Sequence, residues 1–286
     1  MIEIKAVSKT IKKNAILKAV TLNIEGVYGL IGPNGAGKTT LMKILAGIHQ
    51  SDAGSIRIDG EEFLRRKQVK NNELIGYLSQ DFMVYPQVSV LEVLNHIGVL
   101  QGIKDKKERL KRIKEVLSEV NLIDQEHKKM VTLSGGQRRR VGIAQLLLRE
   151  PSILMFDEPT AGLDIEERIR FRNLLKKLGQ KHTVIISSHI VEDIDFLCNK
   201  IGVLKKGKII FEGTPDQLKN KAEGKIYEAK IEKENIDSLL KNKEVVQITE
   251  QESEIIVRYY STVEEDQAKL TVPRLIEGYL AIVKEG

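Results

Sequence analysis

The sequence predicts an α/β domain with a largely parallel sheet, followed by a small α+β appendage. Up to about residue 212, apolar runs of strand length alternate with longer helical patterns, an order typical of parallel sheets. Beyond Gly213-Thr-Pro215, apolar residues such as Tyr227 and Ala229 alternate singly with polar ones, and a helical pattern closes the chain. We therefore expect one domain over residues 1–213 and an accessory domain over residues 214–286.

Composition narrows the class of protein. Of the 286 residues, 41% are hydrophobic and 30% are charged, which is ordinary for a soluble globular chain. No run approaches the roughly 18 apolar residues that a membrane-spanning helix needs, and residues 1–25 carry spaced lysines instead of the apolar block of a signal peptide. The single cysteine, Cys198, indicates a reducing compartment. We expect a cytoplasmic protein, whose net charge of +6 fits an anionic partner such as a nucleotide, a lipid surface or a nucleic acid.

The first predicted strands lead into a glycine-rich loop. Ile2–Val7 and Ile16–Ile24 have the pattern of strands, and Val27–Ile31 is a short buried strand that ends directly at the loop. Ser55–Glu62 has the pattern of a later strand and turn. A helix is predicted between them because apolar residues recur at i, i+3, i+4 and i+7, namely Leu41, Ile44, Leu45 and Ile48.

A helical subdomain is predicted between about residues 82 and 133, where the strand signal disappears. Ser89-x-x-Glu92 is a capping box for one helix. The basic run Lys104–Lys114 is mixed in sign and carries apolar residues at helical spacing, so it predicts a second helix. Its charges favour a solvated helix face, with a membrane-proximal or nucleic-acid-binding patch as the alternative.

Strands resume after this insert. Ile153–Phe156, Thr183–Ser187 and Ile201–Leu204 are apolar runs of strand length. Lys206-Gly207 separates the last of them from Lys208–Phe211 and favours a hairpin. These segments supply the remaining strands of the predicted sheet domain.

The loop after Val27–Ile31 carries the first chemical motif. Gly32-Pro-Asn-Gly-Ala-Gly-Lys-Thr39, called the phosphate loop below, matches G-x-x-x-x-G-K-[ST] between a buried strand and a helix. Its glycines let the backbone wrap phosphate oxygens, and N–H groups at the helix N-terminus face the anion. Lys38 can reach the β- and γ-phosphates, and the Thr39 hydroxyl can bind Mg²⁺. The motif predicts a P-loop NTPase domain in which the nucleotide is bound by Gly32, Pro33, Asn34, Gly35, Ala36, Gly37, Lys38, Thr39 and Thr40.

Two carboxylates follow the buried strand Ile153–Phe156. Ligands bind at the carboxyl ends of strands in open α/β sheets, so Asp157 and Glu158 are placed to act on a bound phosphate. Asp157 is predicted to hold Mg²⁺ through water, and Glu158 to act as the general base that polarises or orients the attacking water. An isolated Asp-Glu pair is more often a solvated turn. The preceding strand and the phosphate loop together favour the catalytic role.

Leu133-Ser-Gly-Gly-Gln137 is the motif that distinguishes one class of P-loop protein from the others. Ser134-x-x-Gln137 is a capping box that starts a helix. Gly135 and Gly136 in the first turn weaken that helix by about 1 kcal/mol each, a cost that indicates a close backbone approach to another group. Here the sequence resembles the ABC (ATP-binding cassette) ATPase family, whose signature segment is LSGGQ. The resemblance implies that the γ-phosphate is met by Ser134, Gly135, Gly136 and Gln137.

The resemblance spans residues 2 to about 220 and implies roles for three weaker positions. Gln80 matches the Q-loop glutamine, which senses Mg²⁺ or the water and adjoins the contact with a membrane subunit. Asp164, at the end of Ala161-Gly-Leu-Asp164, matches the D-loop at the nucleotide, and it is also placed to cap the next helix. His189 matches the switch histidine that touches the γ-phosphate, so that Glu158, His189 and Gln80 form the expected catalytic set.

The adenine position departs from the family pattern. Family members commonly place an aromatic residue near the chain start to stack on the base, and the best match in this sequence is Ile11. No Phe or Tyr precedes Tyr28. We therefore expect Ile11 at the base, with weaker stacking and looser base selectivity than an aromatic side chain would give.

The resemblance also implies an assembly. Two ATPase subunits, as a homodimer or a heterodimer, would pair head to tail with each phosphate loop facing the partner's Ser134. ATP and Mg²⁺ would be the cofactors, and a separate transmembrane permease subunit would use the closing and opening of the pair. Gly26–Gly32 and the segment from Gly224 look like exporter ATPases of the multidrug and bacitracin-resistance type. We therefore expect export, with the chain peripheral on the inner face of the cell membrane.

Three other function classes are disfavoured. A soluble ABC protein acting on ribosomes usually joins two cassettes in one chain, and only one LSGGQ is present. A DNA-repair or chromosome-organising ATPase carries a long coiled coil before the signature, whereas a short helical insert separates Gln80 from Ser134. A P-loop kinase or GTPase has no use for LSGGQ. No nucleic-acid partner is therefore expected.

Overall fold

The computed structural model describes residues 1–63, 74–80, 85–232, 234, 236–250, 254–265 and 268–285. The chain folds into two compact units, Met1–Ile209 and Ile210–Gly286. The predicted start of the helical subdomain, near residue 82, lies outside the described residues. Within the part of the chain just given, no helix is both long and apolar enough to cross a membrane.

The N-terminal strands of the first unit form an antiparallel sheet in the order β2-β1-β4-β5. Its strands are β1 (Ile2–Ile11), β2 (Asn14–Ile24), β4 (Ala53–Ile58) and β5 (Glu61–Glu62). The β1–β2 hairpin turns at Lys12 and Lys13, whose φ angles of 47° and 68° suit the two-residue turns that match strand twist. The largely parallel sheet expected from the sequence is therefore accompanied by a second, antiparallel one.

The parallel sheet positions the chemistry of the first unit. In space its strands run β9-β3-β8-β7-β6. They are β3 (Val27–Ile31), β6 (Ile75–Leu78), β7 (Ile153–Asp157), β8 (Thr183–Ser188) and β9 (Lys200–Lys205). Every residue of β3 and β7 is buried, which explains why both segments are continuous apolar runs. The next strand, β10 (Lys208–Gly213), contains the boundary between the two units.

Six α-helices accompany these strands in the described part of the first unit. They are α1 (Lys38–Leu45), α2 (Val90–Leu100), α3 (Lys106–Glu119), α4 (Gly135–Leu147), α5 (Ile165–Leu178) and α6 (Val191–Leu197). The capping box predicted at Ser89 and Glu92 begins α2. Helices α2, α3 and α4 all lie between β6 and β7 in the chain, as expected for a helical insert.

One hydrophobic core joins both sheets of the first unit to α1. It contains side chains from β1, β2, β3, β7 and β8 together with Leu41, Met42, Ile44 and Leu45 of α1. Tyr28 on β3 is fully buried in this core. Because β3 and α1 both pack into this core, the two ends of the loop between them are fixed in position.

The second unit is α+β. Its four strands are antiparallel in the order β12-β13-β11-β14. They are β11 (Ile226–Ile231), β12 (Glu244–Glu250), β13 (Ile255–Tyr260) and β14 (Lys269–Leu270), with helices α7 (Pro215–Lys219), α8 (Ile236–Asn242) and α9 (Leu275–Glu285). Tyr227 and Tyr259 stack in its core, with ring centroids 6.1 Å apart. Gly278 lets α9 approach α7 closely, since a Cβ at this position would lie 2.0 Å from the carbonyl oxygen of Leu218.

Candidate nucleotide-binding and hydrolysis site

The phosphate loop joins β3 to α1 in a conformation that side chains would disturb. Gly35 and Gly37 have φ angles of 78° and 110°, in the left-handed region that favours glycine. A Cβ on Gly37 would also lie 2.9 Å from the Leu17 side chain. Gly37 is the N-cap of α1. Because glycine has no side chain, it cannot accept a hydrogen bond from the first N–H groups of the helix. These N–H groups are therefore left for an anion at the helix N-terminus.

Lys38 lies over the loop that precedes it. Its ammonium Nζ donates to the carbonyl oxygens of Gly32 at 2.7 Å and Pro33 at 3.4 Å. The same Nζ lies 3.4 Å from Glu158 Oε1, and both side chains are buried. The cation of the phosphate loop and the carboxylate at the end of β7 are therefore in direct contact at the carboxyl edge of the sheet.

A cavity of about 330 Å³ opens at this edge. The residues that line it come from separate segments of the chain: Ile16, Asn34, Gly35, Ala36, Gly37, Lys38, Thr39, Thr40, Gln80, Glu158 and His189. The structure thus brings most of the predicted phosphate-loop residues together with Gln80, Glu158 and His189. Ile11 is not among the lining residues; it lies at the end of β1 and is 37% exposed, whereas Ile16 on β2 is at the cavity.

Asp157 is not among the residues that line the cavity, and it is held by the two strands that flank β7. Its Oδ1 accepts a hydrogen bond from the Ser187 hydroxyl on β8, and its Oδ2 accepts one at 3.3 Å from the Tyr77 hydroxyl on β6. Only 2% of Asp157 is exposed. Burial, followed by the charge of Asp157, raises the pKa of the Tyr77 phenol, so this hydroxyl remains a donor at neutral pH.

Glu158 adopts a left-handed backbone conformation with a φ of 50°. Its N–H group donates to the Ser187 hydroxyl at 3.0 Å and to the Ser187 carbonyl oxygen at 3.2 Å. Its Oε2 lies 2.6 Å from Nδ1 of His189 and accepts the His189 N–H at 3.3 Å. A buried carboxylate oriented by a histidine at the mouth of a polar cavity can accept a proton from a water molecule.

Helix α4 begins with the predicted capping box. Gln137 N–H donates to the Ser134 hydroxyl at 3.1 Å, and Ser134 N–H donates to Gln137 Oε1 at 2.9 Å. The two glycines of the first turn differ. A Cβ on Gly136 would lie 2.2 Å from Glu167 Oε2, whereas a Cβ on Gly135 would meet nothing within 4 Å. Gly136 is therefore needed for packing within the chain, while Ser134 and Gly135 present an exposed, open backbone.

Comparison with known proteins identifies the family. The family model described as ABC transporter matches residues 17–161. The linearmycin resistance ATP-binding protein LnrL of Bacillus subtilis is 34% identical over 76% of this chain and 70% of its own length. The chain is an ATP-binding, ATP-hydrolysing member of the ABC transporter family. The family predicted from the phosphate loop and from Ser134–Gln137 is thus confirmed.

Two further comparisons describe this ABC ATPase more closely. The methionine import ATP-binding protein MetN of Clostridium acetobutylicum is also 34% identical, over 76% of this chain and 70% of its own length. The dimeric structure of MJ0796, a bacterial ABC transporter cassette, superimposes with a TM-score of 0.67 and 30% identity, covering 75% of this chain and 98% of that one. The P-loop α/β fold is confirmed, and proteins of comparable similarity include one named for resistance and one named for import.

Asp164 and the segment Ser134–Gln137 are further predicted site residues that do not line the cavity of the ABC ATPase. Asp164 is exposed and caps α5, with its Oδ1 accepting the Glu167 N–H at 2.8 Å. The segment Ser134–Gln137 also does not line the cavity of its own chain. Both segments would need a second molecule, or a movement of the chain, to reach a nucleotide at the phosphate loop.

The donors at the site suit a magnesium ion that arrives with its nucleotide. In the parts of the chain that the structure describes, no group of three or more His, Cys, Asp and Glu side chains could hold a metal by itself. Of the three oxygen donors predicted for the ion, the Thr39 hydroxyl and the Gln80 amide line the cavity, and the Asp157 carboxylate is the residue before the cavity-lining Glu158. Mg²⁺ prefers oxygen ligands, keeps several waters and is commonly bound through one or two protein groups plus phosphate oxygens. This donor set therefore fits the ion.

Sequence reasoning missed four residues at the site. Tyr77 and Ser187 contact Asp157 only because β6 and β8 flank β7 in this register. Ile16 lies at the cavity while Ile11 does not. The side chain of Arg139, on α4, donates to the carbonyl oxygens of Glu158 and Pro159. In each case the signal is a pairing of strands or a helix contact, which a single sequence does not display.

Proposed function

We propose that this ABC ATPase hydrolyses MgATP as one half of a cassette pair and drives export through a separate transmembrane subunit. The observation that carries the proposal is the convergence of Lys38, Glu158 and His189 on one cavity beside the phosphate loop. A lysine at the β- and γ-phosphates and a group that positions the attacking water are recurring parts of phosphoryl-transfer sites.

In the proposed reaction the phosphate loop binds the triphosphate and Glu158 takes a proton from the attacking water. The new bond joins the water oxygen to the γ-phosphorus while the bond to the β-phosphate oxygen breaks. When the triphosphate binds, Lys38 would exchange its loop carbonyl partners for the β- and γ-phosphate oxygens. It would then neutralise the charge that develops on these oxygens during the reaction. His189 orients the Glu158 carboxylate through the 2.6 Å contact.

Mg²⁺, when bound, would polarise the γ-phosphate and neutralise charge on the phosphate oxygens. Thr39 would supply a hydroxyl ligand, and Asp157 would hold the ion through water. Ser187 and Tyr77 keep the Asp157 carboxylate in one orientation, which leaves its remaining lone pairs for that water. Gln80 lines the same cavity, which supports a role beside the ion or the attacking water.

The exposed N-terminus of α4 supports a pairing of two cassettes. Ser134 and Gly135 present open backbone and a hydroxyl that their own cavity does not use. In a head-to-tail pair these groups, with Gln137 and Asp164, would meet the γ-phosphate held by the partner's phosphate loop. Helix N-termini favour anions, so a bound triphosphate would close the pair and hydrolysis would release it. The dimeric cassette of similar fold supports this arrangement.

The base would be held at Ile16 instead of at Ile11. Ile16 lines the cavity beside the phosphate loop, whereas Ile11 lies at the far end of β1. An aliphatic side chain offers apolar contact without ring stacking. The base selectivity of this ATPase should therefore be loose.

The transmembrane subunit would dock beside Gln80. Tyr85 in the following segment is 73% exposed, which is large for an aromatic side chain and suits an interface. Met83, a second candidate contact, lies outside the described residues. Docking there would place the chain at the inner face of the cell membrane. Export is proposed because LnrL is named for resistance and because Gly26–Gly32 resembles exporter ATPases; the equally similar MetN makes import the alternative.

Purification from detergent-solubilised membranes tests the proposal. A tagged chain should recover a polypeptide with several membrane-spanning helices, and Tyr85→Ala should weaken that recovery without lowering basal ATPase activity. Recovery with ribosomes instead of a membrane protein would contradict the transporter function. Inside-out vesicles carrying the complex would then give the direction: ATP-dependent loading of substrate into the lumen supports export, and ATP-dependent release supports import.

A further inference from the structure

Arg139 connects the helix of the signature segment to the catalytic strand. Its guanidinium NH1 donates to the Glu158 carbonyl oxygen at 3.0 Å and also to the Pro159 carbonyl oxygen. Among the described residues, no carboxylate lies within ion-pair distance of this guanidinium. The side chain is partly buried, and desolvation lowers its pKa. The guanidinium therefore gives up hydration to contact two backbone carbonyl groups of the segment that follows β7.

The backbone that Arg139 holds is strained. Glu158 has a φ of 50°, a conformation that non-glycine residues with long side chains rarely adopt and that persists only where the surroundings hold it. Ser187 holds the N–H of Glu158 on one side, and Arg139 holds its carbonyl oxygen on the other. This conformation directs the Glu158 carboxylate to Lys38 and His189. The position of the general base therefore depends on a hydrogen bond from α4.

A second set of contacts makes α4 a rigid connection. Gly136 lies against Glu167 so closely that a Cβ would be 2.2 Å from its carboxylate. Arg140 NH2 lies 3.3 Å from both carboxylate oxygens of Glu167, and all three residues are buried. Glu167 is in the first turn of α5, which Asp164 caps. The exposed end of α4 at Ser134 and the Arg139 contact therefore belong to one stiff element.

We propose that Arg139 is a positioning residue that makes the placement of Glu158 depend on where the signature end of α4 lies. The inference rests on the proposed function, in which Ser134 meets the nucleotide of the partner cassette. When that nucleotide binds, α4 is fixed and Arg139 holds Glu158 in its strained conformation. When it leaves, the stiff element formed by α4 and α5 is released at its Ser134 end and can shift as one body, and the carboxylate relaxes. Hydrolysis at the phosphate loop of one chain thus depends on the nucleotide that Ser134 of the same chain contacts in the partner's site.

Steady-state kinetics of the full-length chain test this role. Arg139→Gln should lower kcat about tenfold while KM changes by less than about twofold, the pattern of an interaction used in the reaction and not in binding. The Hill coefficient for ATP should fall towards one. Affinity for a fluorescent ATP analogue and the melting temperature should stay near parental values. Arg139→Lys should recover part of kcat, because an ammonium can reach one of the two carbonyl oxygens.

Arg138→Gln is the matched control on the same helix. Its side chain donates to the Leu133 carbonyl oxygen and not to Glu158, so kcat and cooperativity should remain near parental values. Parental kcat and Hill coefficient in Arg139→Gln would overturn the inference. Equal losses of kcat, analogue binding and melting temperature would overturn it too, since they would mark Arg139 as a structural residue only.

A further pair of variants separates this inference from the proposed function. Glu158→Gln with and without Arg139→Gln should both form an ATP-dependent dimer, because Arg139 acts on the base and not on the γ-phosphate contact. Loss of the dimer only in the double variant would contradict the inference while leaving the proposed function intact. Parental hydrolysis in Glu158→Gln would instead show that another group is the base, which would remove the role of Glu158 from the proposed function.

Discussion

Two buried charge pairs, one in each unit of the chain, are partnered in opposite ways. In the first unit, Lys38 and Glu158 are buried at a cavity and contact each other at 3.4 Å. In the second unit, Arg258 Nε and NH2 each lie 2.9 Å from one oxygen of Glu277, and NH2 also donates to the Val272 carbonyl oxygen at 3.0 Å. The first arrangement faces space that a ligand can fill, and the second is closed by the chain itself.

This difference distinguishes buried charged residues that serve ligand binding and catalysis from those that serve stability. A buried ion pair must regain its lost hydration through its own hydrogen bonds, and a bidentate arginine–carboxylate pair with a further carbonyl partner does so. Lys38 and Glu158 line the cavity. A ligand in the cavity can therefore form the hydrogen bonds that water would otherwise make with these two side chains. Substitutions in the first set should therefore change chemistry, and substitutions in the second should change stability.

The largest expected effect is that of Glu158→Gln. The amide keeps the shape of the side chain but cannot accept the proton of the attacking water, so hydrolysis should fall by roughly 10²–10⁴-fold. ATP should still bind, because Lys38 and Thr39 are unchanged. With hydrolysis blocked, size exclusion should show a shift from monomer to dimer when ATP is added, since ATP bridges two chains.

ADP and Ser134→Arg provide the controls for that dimer. ADP should not produce it, because it lacks the γ-phosphate that the partner's signature segment is proposed to contact. Adding Ser134→Arg to Glu158→Gln should abolish it while leaving the phosphate loop intact. Normal hydrolysis by Glu158→Gln would show that another group is the base. An inactive variant that stays monomeric with saturating ATP would show that the pairing needs the membrane subunit or a different cassette.

Arg258→Ala should produce the next largest effect, on stability alone. It leaves Glu277 buried without its charged partner, with the Arg274 N–H as a remaining donor, which costs about 3–5 kcal/mol. Hydrogen exchange should show loss of protection in β11, β13 and α9, with β3 and β7 protected as in the parent. ATP affinity should be retained. Reduced protection in β3 to the same extent would contradict the comparison, because it would mean that the two units do not unfold separately.

Ser187→Ala tests whether a neutral side chain beside the buried carboxylates of the first unit affects the chemistry. The Ser187 hydroxyl contacts both Asp157 Oδ1 and the Glu158 N–H, so its removal leaves two buried groups short of a partner, at a cost on the order of 1–3 kcal/mol. We expect kcat to fall about tenfold, and the Mg²⁺ concentration for half-maximal activity to rise. Ser152→Ala, at an exposed serine, is the control. An unchanged Mg²⁺ requirement would argue against a role for Ser187 in orienting Asp157.

The smallest expected effect concerns the base. Ile16→Tyr should tighten ATP binding by roughly 0.5–1.5 kcal/mol, the range for an aromatic pair, and GTP binding should tighten with it. Ile11→Tyr should leave both affinities unchanged because Ile11 does not line the cavity. A fluorescence titration distinguishes the two variants. The reverse result would place the base at Ile11, as expected from the sequence.

Local sequence determined the motifs of this protein. The phosphate loop, the capping box at Ser134 and the strand that ends at Asp157 depend on neighbours within a few residues, because loop conformation, helix caps and burial of a short strand are decided locally. The family followed from their order along the chain and was confirmed. A change of apolar period near residue 213 predicts a division into an α/β part and an α+β part, and the boundary between the two compact units lies after Ile209.

Only the tertiary structure decided which distant residues meet. The N-terminal strands could equally have joined the parallel sheet, and their antiparallel pairing depends on the hairpin at Lys12 and Lys13. The contact of Tyr77 with Asp157 follows from the pairing of β6 with β7. The contact of Arg139 with Glu158 follows from the packing of α4. Each depends on residues far apart in the chain, whose approach is set by packing of the whole core and leaves no periodic pattern in one sequence.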